Sequence, residues 1–186
     1  MAIDRRVERT RTALYDALVR LIRERPYDEI SVQEILEAAN VGRSTFYAHF
    51  TSKDDLLARS LDRLKALLTA VAAEEESARG DPREEARAVS RALFTHIADH
   101  RDIQLALAGG RGEPIVRNAI NRAVASAVRG LPLEAPPGLP RELAVEFVVS
   151  TFGTVLRWWL DRHPELAPAE ADALLLRLVD KGLGPA

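Results

Sequence analysis

The segment 31–55 carries the densest set of local folding signals in this chain. Ser31 and Glu34 have the S-x-x-E spacing of a capping box, in which the two residues satisfy each other's backbone amides at the start of a helix. Apolar residues then recur between Ile35 and Ala39 at the spacing of three and four residues that marks one helix face. The sequence therefore predicts a short helix that begins directly after Ser31.

A tight turn follows this helix, and a second helix begins directly after the turn. Asn40 tolerates the left-handed backbone conformation in which many helices end, and Val41 and Gly42 complete the predicted turn. In the next helix Phe46 and Phe50 are four residues apart and face the core. The outward side chains are polar or aromatic: Arg43, Ser44, Thr45, Tyr47 and His49. Such a face suits phosphates and base edges, so we interpret the pair as a helix-turn-helix with a DNA-recognition helix.

The sequence of this motif is specific enough to suggest a family. The chain has AANVGRSTFYAHF at 38–50, followed by Lys53 and Leu56. This resembles the signature of TetR-like transcriptional regulators, which runs approximately A-x-x-A-G-V-S-x-x-T-L/F-Y-x-H-F-x-x-K-x-x-L. Asn40 stands where the family most often has Gly, and Gly42 stands where Ser usually caps the recognition helix. Both replacements are physically admissible, because Asn tolerates the left-handed region and Gly is an acceptable N-cap.

The resemblance implies an all-α fold of about nine helices with two functional parts. We predict a three-helix DNA-binding domain at 1–52 and an effector-binding and dimerisation domain at 53–186. The resemblance also implies phosphate contacts for Tyr47, His49 and Lys53, whereas Arg43 and Thr45 are predicted to read base edges. The predicted DNA surface comprises Ser31, Arg43, Ser44, Thr45, Tyr47, His49 and Lys53, supported by the basic residues Arg5, Arg6, Arg9 and Arg11.

Helical periodicity continues along the rest of the chain, and no stretch alternates with the period of a strand. The first helix is predicted at 6–24 and the fourth at about 52–76. GGRGEP at 109–114 is predicted to be a loop, and the Pro-rich stretch 131–140 a linker. Later helices are predicted at about 82–100, 103–107, 114–129, 141–162 and 168–181, the last ending before Gly182.

Composition excludes several classes of protein. The 186 residues are 47% apolar and 29% charged, which allows a sizeable core, and a net charge of −2 argues against non-specific coating of nucleic acid. The absence of cysteine excludes disulfides, thiolate zinc sites and cysteine nucleophiles. The N-terminus has no apolar signal segment, and the apolar stretch 143–160 is too short and too polar for a membrane span. We predict a soluble cytoplasmic protein without a cofactor.

The helix predicted at 141–162 is apolar on more than one face, as is the one at 168–181. A helix on the surface of a monomer shows a single apolar stripe, so a second covered face indicates a partner. The resemblance implies that these last two helices pair with their copies in a homodimer that binds a palindromic operator. The alternative is a helix that is merely central to its own domain.

The resemblance further implies a pocket for a small-molecule effector in the second part of the chain. Aromatic residues there supply apolar walls, and histidine or asparagine supplies one polar handle. We therefore predict an apolar or aromatic effector, because a highly charged one needs buried partners that the helices lack. The predicted lining comprises Phe94, His96, His100, Asn121, Phe147, Phe152 and Trp158. The alternative for the polar members is a place on the solvated face.

Two other functions remain as alternatives. His96 and His100 lie four residues apart on one helix face, the spacing of zinc ligands in helical metal-dependent hydrolases. Ile97 occupies the position of the catalytic Glu, however, and no clear third ligand is present, so we predict no metal site and no enzyme. A purely structural dimerisation module is the second alternative. Neither explains the polar recognition face, which favours a repressor that a ligand releases from its operator.

Overall fold

The computed structural model describes residues 5–61, 82–130 and 138–183, and every regular element within these ranges is helical. The predicted continuation of the fourth helix to Glu76 and most of the linker 131–140 lie outside the described residues. The helices are α1 (Arg5–Glu24), α2 (Val32–Ala39), α3 (Arg43–Tyr47), α4 (described at 53–61), α5 (Pro82–Asp99), α6 (Arg101–Leu107), α7 (Gly112–Gly130), α8 (Arg141–Arg162) and α9 (Pro168–Leu183), with a short 3-10 turn at Tyr27–Glu29.

α6 begins at Arg101, two residues before its predicted start, and α3 ends at Tyr47, before Phe50. Two further boundaries differ for reasons that the structure shows. α7 begins at Gly112, inside the predicted loop, because the Glu113 carboxylate accepts a 2.8 Å hydrogen bond from the Gly109 amide and closes the preceding turn. α9 continues through Gly182, which was predicted to end it. A Cβ at Gly182 would lie 2.4 Å from Cζ of Phe147, so this glycine allows an aromatic ring to approach the helix backbone.

Two compact units divide the described residues. The first comprises 5–61 and 102–119, and the second comprises 82–101, 120–130 and 138–183. The first unit extends beyond the predicted DNA-binding domain of 1–52, since it also takes in the start of α4, most of α6 and the first part of α7. Leu107 and Val116, from α6 and α7, are both buried. The helix-turn-helix motif alone does not show that helices distant in sequence complete this unit.

The first unit has its core between α1, α2 and the aromatic residues of the recognition segment. The stripe of α1 predicted from periodicity, Leu14, Leu18, Leu21 and Ile22, is buried. α1 packs on α2, where Ile35 is fully buried. Arg25, the residue after α1, forms an ion pair of 2.7 Å with Glu34 in the first turn of α2. These contacts fix the helix that precedes the recognition helix.

The second unit is built around α8, which packs on α9, while α9 also packs on α5. Phe94 of α5 lies with its ring centroid 5.1 Å from Phe152 and 5.5 Å from Trp159, both on α8. The Trp159 indole donates a 3.0 Å hydrogen bond to the Leu166 carbonyl, so its polar edge is satisfied. By length and composition α8 is apolar enough to cross a membrane. Its buried aromatic residues, however, pack inside this unit as those of a core helix do.

Candidate nucleic-acid interface

The capping box that starts α2 is present as predicted. The Ser31 hydroxyl accepts a hydrogen bond from the Glu34 amide at 3.3 Å, and the Ser31 amide donates to the Glu34 carboxylate at 2.9 Å. These bonds to the backbone and hydroxyl of Ser31 lower the pKa of Glu34 to about 2. The Ser31 hydroxyl also donates to Glu34 at 2.7 Å. The hydroxyl and the amide of Ser31 are therefore both engaged in capping the start of α2.

The turn between α2 and α3 follows the chemistry of its residues. Asn40 has φ 52° and ψ 47°, the left-handed conformation expected where the family more often has Gly. Gly42 is the N-cap of α3 in an extended conformation, and no side chain caps this helix. A Cβ at Gly42 would meet nothing within 4 Å, so the usual Ser of the family would also fit here. Both departures from the family pattern are therefore compatible with the turn.

Two phenylalanines fix the short recognition helix to the core. Phe46 and Phe50 are almost completely buried, with ring centroids 5.6 Å apart. The Phe50 amide still donates to the Phe46 carbonyl at 2.8 Å, although α3 itself ends at Tyr47. The side chains predicted to face outward do so: Arg43, Ser44, Thr45 and Tyr47 are exposed, Tyr47 by 53%, and His49 is partly exposed. The buried pair Phe46 and Phe50 thus fixes the recognition helix so that its polar face stays accessible to solvent.

Gln33 of α2, which no sequence motif marks, binds the first side chain of α3, and Glu37 binds Gln33. Arg43 donates a 3.1 Å hydrogen bond to the side-chain carbonyl of Gln33. The Gln33 amide nitrogen in turn donates to the Glu37 carboxylate at 2.8 Å. The available sequence signal was the i, i+4 spacing of Gln33 and Glu37 on α2. The contact with Arg43 depends on how the turn orients α2 against α3, and the spacing of residues along the sequence does not predict this orientation.

Lys53, at the start of α4, binds the backbone of the turn that follows α1. Its ammonium donates to three backbone carbonyls, those of Ile30 at 2.6 Å, Tyr27 at 2.7 Å and Asp28 at 3.3 Å. It also lies 4.5 Å from the centroid of the Tyr27 ring. Burial lowers the pKa of Lys53, more than the neighbouring carboxylates Asp54 and Asp28 raise it. An ammonium has three N–H groups, so these carbonyls occupy all of its donors.

The turn between α6 and α7 docks on the same 3-10 turn. The Arg111 amide donates to the Asp28 carboxylate at 3.2 Å, and the Arg111 guanidinium lies 3.7 Å from Asp54. A Cβ at Gly110 would lie 2.8 Å from Asp28, and one at Gly112 would lie 3.1 Å from the Tyr27 ring. No local pattern predicts this contact, because 83 residues separate Asp28 from Arg111.

Comparison with known proteins agrees with this geometry. Residues 14–59 match the family model of the bacterial regulatory proteins of the tetR family. YwcC, an uncharacterized HTH-type transcriptional regulator of Bacillus subtilis (strain 168), is 43% identical over 56 residues, which cover 30% of this chain and 25% of that protein. The match thus spans about a quarter of the relative's length.

Solved structures match nearly the whole chain. The TetR transcriptional regulator from Streptococcus agalactiae 2603V has a TM-score of 0.65 at 25% identity, covering 95% of this chain and 96% of that one. The chain therefore has the domain and the fold of the TetR family. Thermus thermophilus FadR, a TetR-family transcriptional repressor solved in complex with lauroyl-CoA, has the same fold with a TM-score of 0.67 at 21% identity, over 95% of this chain and 96% of FadR.

The residues predicted to line an effector pocket lie at several places in the second unit. Phe94 and Phe152 meet in the core, whereas Phe147 is 36% exposed and lies against Gly182 of α9. Trp158 stacks on His163, with ring centroids 4.3 Å apart. Asn121 of α7 lies opposite Gly153 of α8. A Cβ added at Gly153 would lie 4.0 Å from the Oδ1 atom of Asn121.

The two histidines predicted to line the pocket stack on each other. The rings of His96 and His100 have centroids 4.1 Å apart, and His100 Nδ1 lies 3.0 Å from the His96 carbonyl oxygen, to which it donates in the matching tautomer. Burial, followed by the charge of His100, lowers the pKa of His96. Among the described residues no group of three or more potential metal ligands comes together, and the hydrolase alternative finds no support in the family or the fold.

Proposed function

We propose that this protein is a homodimeric, sequence-specific DNA-binding repressor that a small-molecule effector releases from its operator. The observation that carries the proposal is the recognition helix. Its apolar side, Phe46 and Phe50, is buried, while its opposite side presents polar and aromatic groups to solvent. A helix fixed in this way supports base contacts, because readout requires side chains held at defined positions in the major groove.

The proposed DNA surface is narrower than the sequence alone indicated. Arg43 and Thr45 are assigned to base edges, and Tyr47, His49 and Ser44 to phosphates or sugars. Ser31 supports the surface through the start of α2, because its hydroxyl belongs to the capping box. The basic residues of α1 lie in its first two turns, where Arg5, Arg6 and Arg9 are exposed, and they add positive charge to this unit. Lys53 is assigned to phosphate, as the resemblance implies, although its ammonium binds carbonyls in the chain alone.

The proposed dimer forms through α8 and α9. Leu143 and Phe147 lie one helical turn apart on α8 and are 54% and 36% exposed, and Leu178 of α9 is 50% exposed. Large apolar side chains left in solvent on neighbouring helices favour a protein partner. A twofold-symmetric pair would present two recognition helices to half-sites about 34–36 Å apart, or multiples of that, which is why the operator is proposed to be palindromic.

The proposed effector is an apolar or aromatic small molecule that binds in the second unit. Support comes from the aromatic cluster of Phe94, Phe152 and Trp159 in the core of this unit. FadR of Thermus thermophilus, which shares this fold, was solved with lauroyl-CoA. An acyl chain is therefore one candidate class, with His96, His100 or Asn121 as the polar contact. A ligand that prefers the DNA-incompetent state about a hundredfold supplies about 2.7 kcal/mol of coupling.

Direct DNA binding tests the proposal. Fluorescence anisotropy of the purified protein should show salt-dependent binding to a duplex selected from a random pool, and to DNA flanking its own gene. Arg43→Ala and Tyr47→Ala should weaken binding to the selected duplex at least about tenfold. Arg122→Ala, which removes an exposed positive charge in the second unit, is the matched control and should bind like wild type. Equal binding by all four proteins contradicts the assigned surface.

The effector is tested on the same duplex. Acyl-CoA thioesters, free fatty acids, planar aromatic compounds and small anionic metabolites are each added to the complex at fixed salt. Release by the lipophilic compounds supports the proposal. Release only by small anionic metabolites contradicts the apolar class while leaving DNA binding intact.

A further inference from the structure

We propose that Ser90 and Asp172 form a polar lock that fixes the position of α9 on α5, and with it the surface of α9 that is proposed to bind a second copy of the chain. Asp172 is 3% exposed, and among the described residues it is the one charged side chain in the buried core. Its carboxylate accepts a 2.5 Å hydrogen bond from the Ser90 hydroxyl, across 82 positions of sequence. The inference rests on the proposed dimer, but its central observation concerns the packing of α9 on α5.

The lock lies at the edge of the apolar core of the second unit. Ser90 is one helical turn before Phe94 on α5. Asp172 lies on α9 between Ala171 and Leu175. These three apolar neighbours all belong to the core cluster. Apolar contacts tolerate a small shift of one helix along another, whereas a hydroxyl and a carboxylate that move apart become buried polar groups without partners. The pair therefore favours a single register of α9 on α5.

The charges around Asp172 show that this specificity reduces stability. Burial raises the pKa of Asp172, and this effect exceeds the opposite effects of the Ser90 hydrogen bond and of the positive charges of Arg91 and Arg87 on α5. α8 also packs on α9, and its ionisable side chains are all exposed: Arg141, Glu142, Glu146, Arg157, Asp161 and Arg162. An ionised Asp172 thus destabilises the fold while it specifies the register, as buried polar groups do in some helix pairs.

The lock joins the helix of the predicted effector contacts to the helix of the proposed dimer. α5 carries Phe94 and His96, and α9 carries Leu178, which is 50% exposed. A change in the register of α9 would displace Leu178 relative to Leu143 and Phe147, the exposed apolar residues of α8. A movement of α5 on effector binding would reach the proposed interface through the same hydrogen bond.

Distances between spin labels test the register directly. The chain has no cysteine, so Thr95→Cys on α5 and Ala173→Cys on α9, both at exposed positions, take up one label each. Labelled protein diluted with excess unlabelled protein reports the distance within one chain by double electron–electron resonance. Asp172→Asn keeps an oxygen that accepts from Ser90, so it should give the wild-type distance distribution. Asp172→Leu and Ser90→Ala should shift or broaden the distribution by at least about 1.5 Å, the rise of one residue in a helix.

Dimer affinity is the second measurement. By analytical ultracentrifugation, the dimer dissociation constant should rise at least about tenfold in Asp172→Leu and Ser90→Ala, and stay within about threefold of wild type in Asp172→Asn. If Asp172→Leu does not fold, Ser90→Ala carries both comparisons.

Stability separates the lock from a contact that merely strengthens the fold. Asp172→Asn removes a buried charge, so it should unfold at a higher urea concentration than wild type at pH 7.5. The folded-state pKa of Asp172 is raised above its ordinary value of 3.8, so wild type loses stability as pH rises from that value, and the difference should disappear as pH falls towards 4. Asp16→Asn, which changes an exposed carboxylate of α1, is the matched control and should unfold like wild type at both pH values.

Two results overturn the inference. One is an Asp172→Leu protein with the distance distribution and the dimer affinity of wild type. The other is an Asp172→Asn protein whose distances change as much as those of Asp172→Leu, because the bond to Ser90 would then not be what positions α9. If wild type is a monomer, the proposed dimer fails. The spin-label distances then decide on their own whether the lock positions α9.

Discussion

The phenolic hydroxyl of Tyr27 donates a 2.5 Å hydrogen bond to the carboxylate of Asp54, and this bond joins the 3-10 turn after α1 to the first turn of α4. Burial, then the hydrogen bond to Asp54, raises the pKa of Tyr27, so the hydroxyl keeps its proton at any physiological pH. The same carboxylate lies 3.7 Å from the Arg111 guanidinium. One turn thus contacts α4 and the α6–α7 turn through a continuous polar network within the first unit.

Tyr27→Phe removes the donor of this bond and leaves the ring in place against Gly112. We expect the free energy of unfolding to fall by about 1–2 kcal/mol, since a partly buried carboxylate loses one of its partners. Urea denaturation followed by circular dichroism measures the change. Tyr47→Phe, which alters an exposed hydroxyl, is the matched control and should change stability by less than about 0.5 kcal/mol. Equal effects of the two substitutions would show that the bond to Asp54 does not contribute.

The capping box of α2 predicts a dependence of stability on acid pH. The pKa of Glu34 is lowered to about 2 in the folded chain, against an ordinary value of 4.5. A lowered folded-state pKa stabilises the fold above pH 4.5, and this contribution is lost as pH falls from 4.5 towards 2. Wild type should therefore unfold at higher urea concentration than Glu34→Gln at pH 6, with a difference that narrows at pH 3. A difference that stays constant over this range contradicts the assignment.

The sequence predicted the helix-turn-helix because its signals are local. The capping box at Ser31, the left-handed residue Asn40 and the buried pair Phe46 and Phe50 each involve residues within a few positions of one another. Local signals also gave α8, whose predicted bounds match the structure. The all-α fold predicted from this motif is confirmed, and residues 14–59 match the family model of the tetR regulators, as the motif predicts.

What the sequence missed depends on contacts between distant residues. The hydrogen bonds of the Lys53 ammonium join residues that lie more than twenty positions apart in the sequence. The hydrogen bond between Asp28 and Arg111 joins residues 83 positions apart. Periodicity identifies which face of a helix is apolar, but not which neighbour covers it. For the same reason the predicted pocket grouped Phe147 with Phe152, whereas Phe147 lies on the α9 side of α8 against Gly182. The roles of these residues in ligand and DNA binding stay predictions.

Gln33→Ala should relax sequence preference more than it weakens binding. Loss of the bond from Arg43 frees the guanidinium to adopt other rotamers, which lowers its selectivity for one base edge. We expect discrimination at the base pair that Arg43 reads to fall about three- to tenfold, a part of the 1–3 kcal/mol that a good bidentate contact supplies. Binding measured against a panel of single-base operator variants gives this number. Uniform weakening across the panel would instead indicate that Gln33 contacts the DNA backbone itself.

The exposed leucines of the chain allow a matched test of the dimer. Leu178 of α9 and Leu105 of α6 are 50% and 58% exposed, so Leu→Glu costs little in the fold at either position. Leu178→Glu places a charge in the proposed interface, where desolvation without a partner costs several kcal/mol. Light scattering coupled to size exclusion should therefore report a monomer for Leu178→Glu and a dimer for Leu105→Glu and wild type at micromolar concentration. A monomeric wild-type protein would falsify the proposed dimer outright. A Leu178→Glu protein that stays dimeric while Leu105→Glu dissociates would move the interface from α8 and α9 to the surface of α6.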